Sequence, residues 1–118
     1  AVTVLLQDEV SGLQMRHNDT WTTIASENNS LIVNVGDLIQ VWSNDRYKAP
    51  LHRVLANSKQ DRFSAAFFLN PDSATNCIPQ TGEKPRYRSV NWDEFRSARA
   101  AGDYANIGDE VQISDYRI

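Results

Sequence analysis

Sulfur is nearly absent from this sequence: one cysteine, Cys77, and one methionine stand among 118 residues. A lone thiol excludes an internal disulfide and fits a reducing compartment, so the expected location is cytoplasmic. There is no paired-cysteine motif for zinc or thiol exchange. Glycine is scarce, at five, and no glycine-rich loop that could cradle phosphate is present. No apolar run approaches the roughly 18–20 residues of a membrane span; the longest is Ala65 to Leu69. Positive charge is not in excess either. A net charge of -3 argues against a dedicated binder of nucleic acid or anionic membrane. The opening Ala1-Val2-Thr3-Val4-Leu5-Leu6 lacks a basic n-region and reads as an interior strand rather than a signal peptide.

What remains is an ordinary globular composition, 41% hydrophobic and 23% charged, of a length that suits one domain over residues 1–118. Short strand-like runs dominate the first two-thirds. Val2 to Leu6 is closed by a polar turn from Asp8 to Gly12. Leu13 to Arg16 and Trp21 to Ile24 flank His17-Asn18-Asp19-Thr20, a hairpin connection whose Asn and Asp tolerate the left-handed conformation. The β-branched run Leu31 to Val35 follows, and Leu51 to Ala56 and Arg62 to Leu69 are further strands. Leu38 to Trp42 is too short for its pattern to decide between strand and helix. Strands at roughly 8–12-residue spacing predict a mainly β sandwich or barrel-like sheet.

The last third differs. Asn70 to Arg88 holds three of the four prolines and predicts an irregular, wrapping segment. Asn91-Trp92-Asp93-Glu94 has the spacing of a capping box, which predicts a helix carrying Phe95 and Ala98 on one face and ending at Gly102. Asp37 is expected to cap the turn after Gly36, and Trp21, Trp42 and Trp92 to serve packing. Cys77 is expected to be a packing residue, and Lys84-Pro85-Arg86-Tyr87-Arg88 a solvated loop.

Two strands carry the chemistry. His52 lies in Leu51-His52-Arg53-Val54-Leu55 and shares a face with Val54 and Ala56. Arg62 and Ser64 share a face of the next strand, where a guanidinium beside a hydroxyl makes a fork for a carboxylate. Read alone, a strand histidine is more often a packing residue, and a strand arginine more often a solvated or salt-bridged one.

In order along the chain stand Asn34-Val35-Gly36-Asp37-Leu38-Ile39-Gln40-Val41-Trp42, Tyr47-Lys48, Leu51-His52-Arg53-Val54, Arg62-Phe63-Ser64 and Phe67-Phe68-Leu69-Asn70-Pro71. With Val4-Leu5-Leu6-Gln7-Asp8, Gly12-Leu13-Gln14 and Arg86-Tyr87-Arg88, this closely resembles the C-terminal part of the iron(II)/2-oxoglutarate-dependent dioxygenases of the isopenicillin N synthase-like type. The resemblance covers essentially the whole chain. It implies a partial double-stranded β-helix, or jelly-roll, with a short C-terminal helix. It places His52 at the family's distal iron-binding histidine, and Arg62 and Ser64 at the pair that holds the distal carboxylate of 2-oxoglutarate.

On that alignment the family's His-x-Asp ligands fall a few residues before Ala1. The resemblance therefore implies a truncated C-terminal half of a small-molecule oxygenase, with no catalytic residue of its own beyond these contacts. His17-Asn18-Asp19 has the literal His-x-Asp spacing, but hairpin chemistry accounts for it. Three expectations follow. The isolated chain gives no turnover. Arg62 and Ser64 alone hold a carboxylate only at millimolar concentration or weaker. The open edges of a partial jelly-roll favour a homodimer, or association with a missing N-terminal half. The alternative function is a non-catalytic binding or assembly module.

Overall fold

Val2, Thr3 and Val4 open the first strand with β-branched side chains, and the chain builds its larger sheet around them. In the computed structural model, which describes residues 1–104 and 110–118, β1 (Val2–Gln7) is the central strand between β4 (Ile32–Val35) and β6 (Ser64–Leu69). Both pairings are antiparallel: Val4 faces Val33 on one side and Phe67 on the other. A second three-stranded sheet has the order β3-β2-β5, from β2 (Leu13–His17), β3 (Thr20–Thr23) and β5 (His52–Val54). Asn18 and Asp19 sit at φ 46° and 62°, the left-handed pair that a two-residue hairpin requires. Strands thus alternate between two sheets as in a jelly-roll, and the mainly β expectation holds.

Leu38 to Trp42 resolves as helix. α1 (Asp37–Trp42) is a short segment whose Leu38 and Val41 are buried. Asn44 and Asp45, at φ 53° and 72°, turn the chain out of it. Asp37 is not its cap; Gly36 is, and Asp37 instead pairs with Arg99 at 2.7 Å. The irregular segment contains a two-residue strand, β7 (Asn76–Cys77), paired with β8 (Val90–Asn91).

α2 (Trp92–Tyr104) begins where the sequence predicts, with the Asn91 carboxamide accepting from the Glu94 N–H at 3.1 Å. It does not end at Gly102. A helical glycine costs only about 1 kcal/mol against alanine, and the helix runs on to Tyr104.

The buried cluster is built from residues outside the two three-stranded sheets. It consists of Leu38, Val41, Cys77, Tyr87, Val90, Phe95 and Ile113, with Trp42 and Trp92 packed against it. Cys77 and the two tryptophans are therefore packing residues, as expected, whereas Trp21 lies under the Arg53 guanidinium at 4.1 Å. The expectation of a solvated Lys84–Arg88 loop holds for Lys84, Pro85, Arg86 and Arg88, which are exposed, and fails at Tyr87, which is 1% exposed.

In the two sheets, Leu13 is the one buried apolar side chain among the described residues. Phe67 and Phe68 on β6 are each 64% exposed, and Val33 and Val54 are exposed as well. The radius of gyration is 16.0 Å, against about 13.5 Å for a compact chain of this length. No described helix is long and apolar enough to cross a membrane.

Candidate functional site

His52 stands on β5 opposite Met15 of β2, with its side chain exposed. Its Nδ1 lies 3.3 Å from the Pro50 carbonyl oxygen. With the proton on Nδ1, the ring donates to that carbonyl and keeps the Nε2 lone pair outward. This is the usual second contact of a metal-binding histidine. Among the described residues, no group of three His, Cys, Asp or Glu side chains could hold a metal ion. The chain thus fits one corner of an iron site and not a complete one.

His17 is the diagonal neighbour of His52, since Met15 faces His52 and His17 lies two residues further along β2. Asp19, however, sits at the hairpin turn with a positive φ of 62° and an exposed side chain, its carboxylate accepting from Arg16 at 2.7 Å. The literal His-x-Asp spacing therefore belongs to the turn.

The structure brings Arg62 and Ser64 together. Arg62 precedes β6, and its Nη1 lies 3.5 Å from Ser64 Oγ. The guanidinium is half-buried and anchored on the opposite edge. Its Nε–H donates to the Val10 carbonyl at 3.0 Å and its Nη2 to Gln7 Oε1 at 3.1 Å. Gly12 lets the arginine lie close: a Cβ there would stand 3.2 Å from Nε.

Asp8 braces the same loop, accepting from the Phe63 N–H and, at 2.9 Å, from the Val10 N–H. The Phe63 N–H, ahead of the opposing effect of burial, holds the Asp8 carboxyl below its ordinary value, with smaller help from Val10 and the Arg62 charge. An open cavity of about 340 Å³ adjoins this cluster, lined by Leu6, Gln7, Asp8, Phe63, Ser64 and Ala65.

Chemically, the arrangement offers a cation and a hydroxyl for one carboxylate and a separate imidazole for a metal. Sequence reasoning missed Gln7, Val10 and Gly12. No local sequence signal marks them for this role; Gln7 shows only in the β1–β6 register, where it pairs with Ser64.

Comparison with known proteins agrees with this layout. The family model of the 2OG-Fe(II) oxygenase superfamily matches residues 1–71. Gibberellin 2-beta-dioxygenase 6 of Oryza sativa subsp. japonica is 37% identical over 115 residues, covering 98% of this chain and 32% of its own length. Jasmonate-induced oxygenase 4 of Arabidopsis thaliana is 46% identical over 102 residues, covering 81% of this chain and 29% of its own.

Among solved structures, JOX2 in complex with 2OG, Fe and JA superposes with a TM-score of 0.76 at 42% identity, over 81% of this chain and 30% of that one. The rice dioxygenase for auxin oxidation gives 0.80 at 29% identity, over 99% and 42%. The chain spans about a third of the length of the curated relatives it matches and corresponds to their C-terminal portion.

Proposed function

This chain belongs to the 2OG-Fe(II) oxygenase superfamily, and from that premise we propose that it supplies the cosubstrate-carboxylate site and one metal ligand of an oxygenase acting on a small organic molecule. Iron(II) and 2-oxoglutarate, the cofactors of the superfamily, provide the oxygen-activating chemistry when bound. The residues of this chain bind and orient. His52 offers Nε2 to the metal. Arg62 and Ser64 hold the distal carboxylate of 2-oxoglutarate, the guanidinium by charge and paired N–H groups and the hydroxyl by a further hydrogen bond. The observation that carries this reading is the Arg62 guanidinium standing 3.5 Å from Ser64 Oγ with no carboxylate of the described residues within salt-bridge distance.

The 118-residue chain offers iron one histidine in this reading, so no turnover is expected from it alone. Buried Cys77 supports a reducing compartment such as the cytoplasm. The test is a titration of the chain with 2-oxoglutarate at constant ionic strength, followed by nuclear magnetic resonance. Saturable binding in the millimolar range is expected, abolished in Arg62→Ala and weakened in Ser64→Ala. Equal binding by Arg62→Ala and the parent chain would overturn the reading.

A second reading, an assembly module, is favoured by one observation: all six residues of β6, Ser64–Leu69, are exposed. An apolar edge strand of this kind pairs readily with another chain. A second copy, giving a homodimer, or another part of such an oxygenase would cover it. Light scattering at micromolar concentration distinguishes dimer from monomer, and a monomer counts against the homodimer.

A further inference from the structure

We propose that Gln7 is a positioning residue for the carboxylate-binding arginine, holding the Arg62 guanidinium through a neutral oxygen so that its charge and its free end remain for the incoming dicarboxylate. The inference rests on the cosubstrate reading and goes one layer beneath it.

The hydrogen-bond inventory of the guanidinium carries the argument. Arginine has five N–H groups in a rigid fork. The Nε–H and an Nη2–H form one edge of that fork, and here they meet the Val10 carbonyl at 3.0 Å and Gln7 Oε1 at 3.1 Å. One Nη1–H is directed to Ser64 Oγ at 3.5 Å. Two N–H groups remain, one on each terminal nitrogen, which is the number a bidentate carboxylate takes.

Charge points the same way. Arg62 has no carboxylate within salt-bridge distance among the described residues, and its protein partners are a carbonyl, an amide and a hydroxyl. Asp8, whose carboxyl feels the Arg62 charge, gives its two oxygens to the Val10 and Phe63 N–H groups instead. Gly12 completes the seat by leaving room for the arginine stem. Gln7 itself is fixed by the register of the sheet, since it pairs with Ser64 across β1 and β6. The two ends of the guanidinium are thereby set by neighbouring residues on adjacent strands.

The experiment compares Gln7→Leu, Gln7→Glu and Arg62→Ala in the full chain. The readouts are the Arg62 Nε–H resonance, its solvent exchange and the dissociation constant for 2-oxoglutarate at constant ionic strength. Gln7→Leu removes the acceptor, so exchange should accelerate and binding weaken about tenfold, the loss of one hydrogen bond to a charged group. Gln7→Glu keeps an acceptor of the same length but supplies a negative charge. It should slow exchange and yet weaken 2-oxoglutarate at least tenfold, because the arginine is already neutralised.

That opposition separates positioning from mere structural support, which Gln7→Glu would preserve. If Gln7→Leu fails to fold, Gln7→Glu alone decides. Parent-like binding by either Gln7 variant, while Arg62→Ala binds nothing, overturns the inference and leaves the cosubstrate reading standing. A parent chain that ignores 2-oxoglutarate, or an Arg62→Ala chain that binds it equally, overturns the cosubstrate reading and this inference together.

Discussion

Replacing Tyr87 by phenylalanine isolates one hydroxyl at the centre of the buried cluster. The ring is retained, so packing and the stacking of Arg117, 4.8 Å from the ring centroid, should persist. The hydroxyl donates to Asp45 Oδ1 at 2.5 Å and accepts from Gln40 Nε2 at 2.7 Å. The Asp45 side chain is only 4% exposed and also takes Arg117 at 2.8 Å. Removing the hydroxyl therefore takes one hydrogen bond from a buried carboxylate and leaves a buried amide N–H without this partner. A charge-assisted bond contributes about 1.5–3 kcal/mol and a neutral one about 1 kcal/mol, so Tyr87→Phe should cost about 2.5–4 kcal/mol. At about 4 °C per kcal/mol for a domain of this size, Tm should fall by about 10–15 °C.

The acid limb gives an independent check. Burial by itself would raise the Asp45 carboxyl, but the Tyr87 hydroxyl and Arg117 outweigh it and hold the group below its ordinary value of 3.8. A depressed carboxyl contributes stability that is fully present above its unfolded value and lost as pH falls through the lower folded one. The parent chain should lose that contribution as pH drops below about 3.8, and Tyr87→Phe should lose less of it. Urea unfolding followed by circular dichroism, at neutral pH and down the acid limb, measures both effects. A Tyr87→Phe chain as stable as the parent at neutral pH would refute the network as a source of stability.

Two further expectations concern the site and the helix. In Gly12→Ala the new Cβ stands 3.2 Å from Arg62 Nε and 3.3 Å from its Cδ, so the arginine must shift by tenths of an ångström. Binding of 2-oxoglutarate should weaken roughly threefold or more, a partial loss of a contact worth about 1.5–3 kcal/mol; calorimetric titration showing unchanged affinity would remove Gly12 from the seat. Asn91→Ala removes the cap on the Glu94 N–H and should cost about 1 kcal/mol, read as a lower Tm with unchanged 2-oxoglutarate binding.

Local chemistry made much of the strand order legible. Val2, Val4, Ile32 and Val35 are β-branched and bounded by turn residues, and Asn18-Asp19 has the side chains a hairpin wants, so those elements could be read from short windows. Leu38 to Trp42 could not, because its five residues satisfy either period; the buried contacts of Leu38 and Val41 and the anchoring of Gln40 by Tyr87, 47 residues away, decide for helix. Tyr87 was hidden for the same reason. Its neighbours are basic, and its burial depends on Gln40 and Asp45, which no local window contains. His52, Arg62 and Ser64 entered as candidates chiefly through their family resemblance, since each alone is an ordinary strand residue. Gln7 became visible only through the β1–β6 register.

A buried cluster built from residues outside the two three-stranded sheets divides the cooperativity of the chain. Amides around Cys77 and Val90 are shielded by a packed interior, whereas those of β1, β2 and β6 depend mainly on ladder hydrogen bonds, so native-state hydrogen exchange should resolve two tiers of protection. Arg62 bridges the weaker tier: from the start of β6 it reaches Gln7 on β1 and Val10 in the connection that leads to β2. A dicarboxylate seated on it would act as a clasp between the sheets, and occupancy would register as slower exchange there while the helical side stayed unchanged.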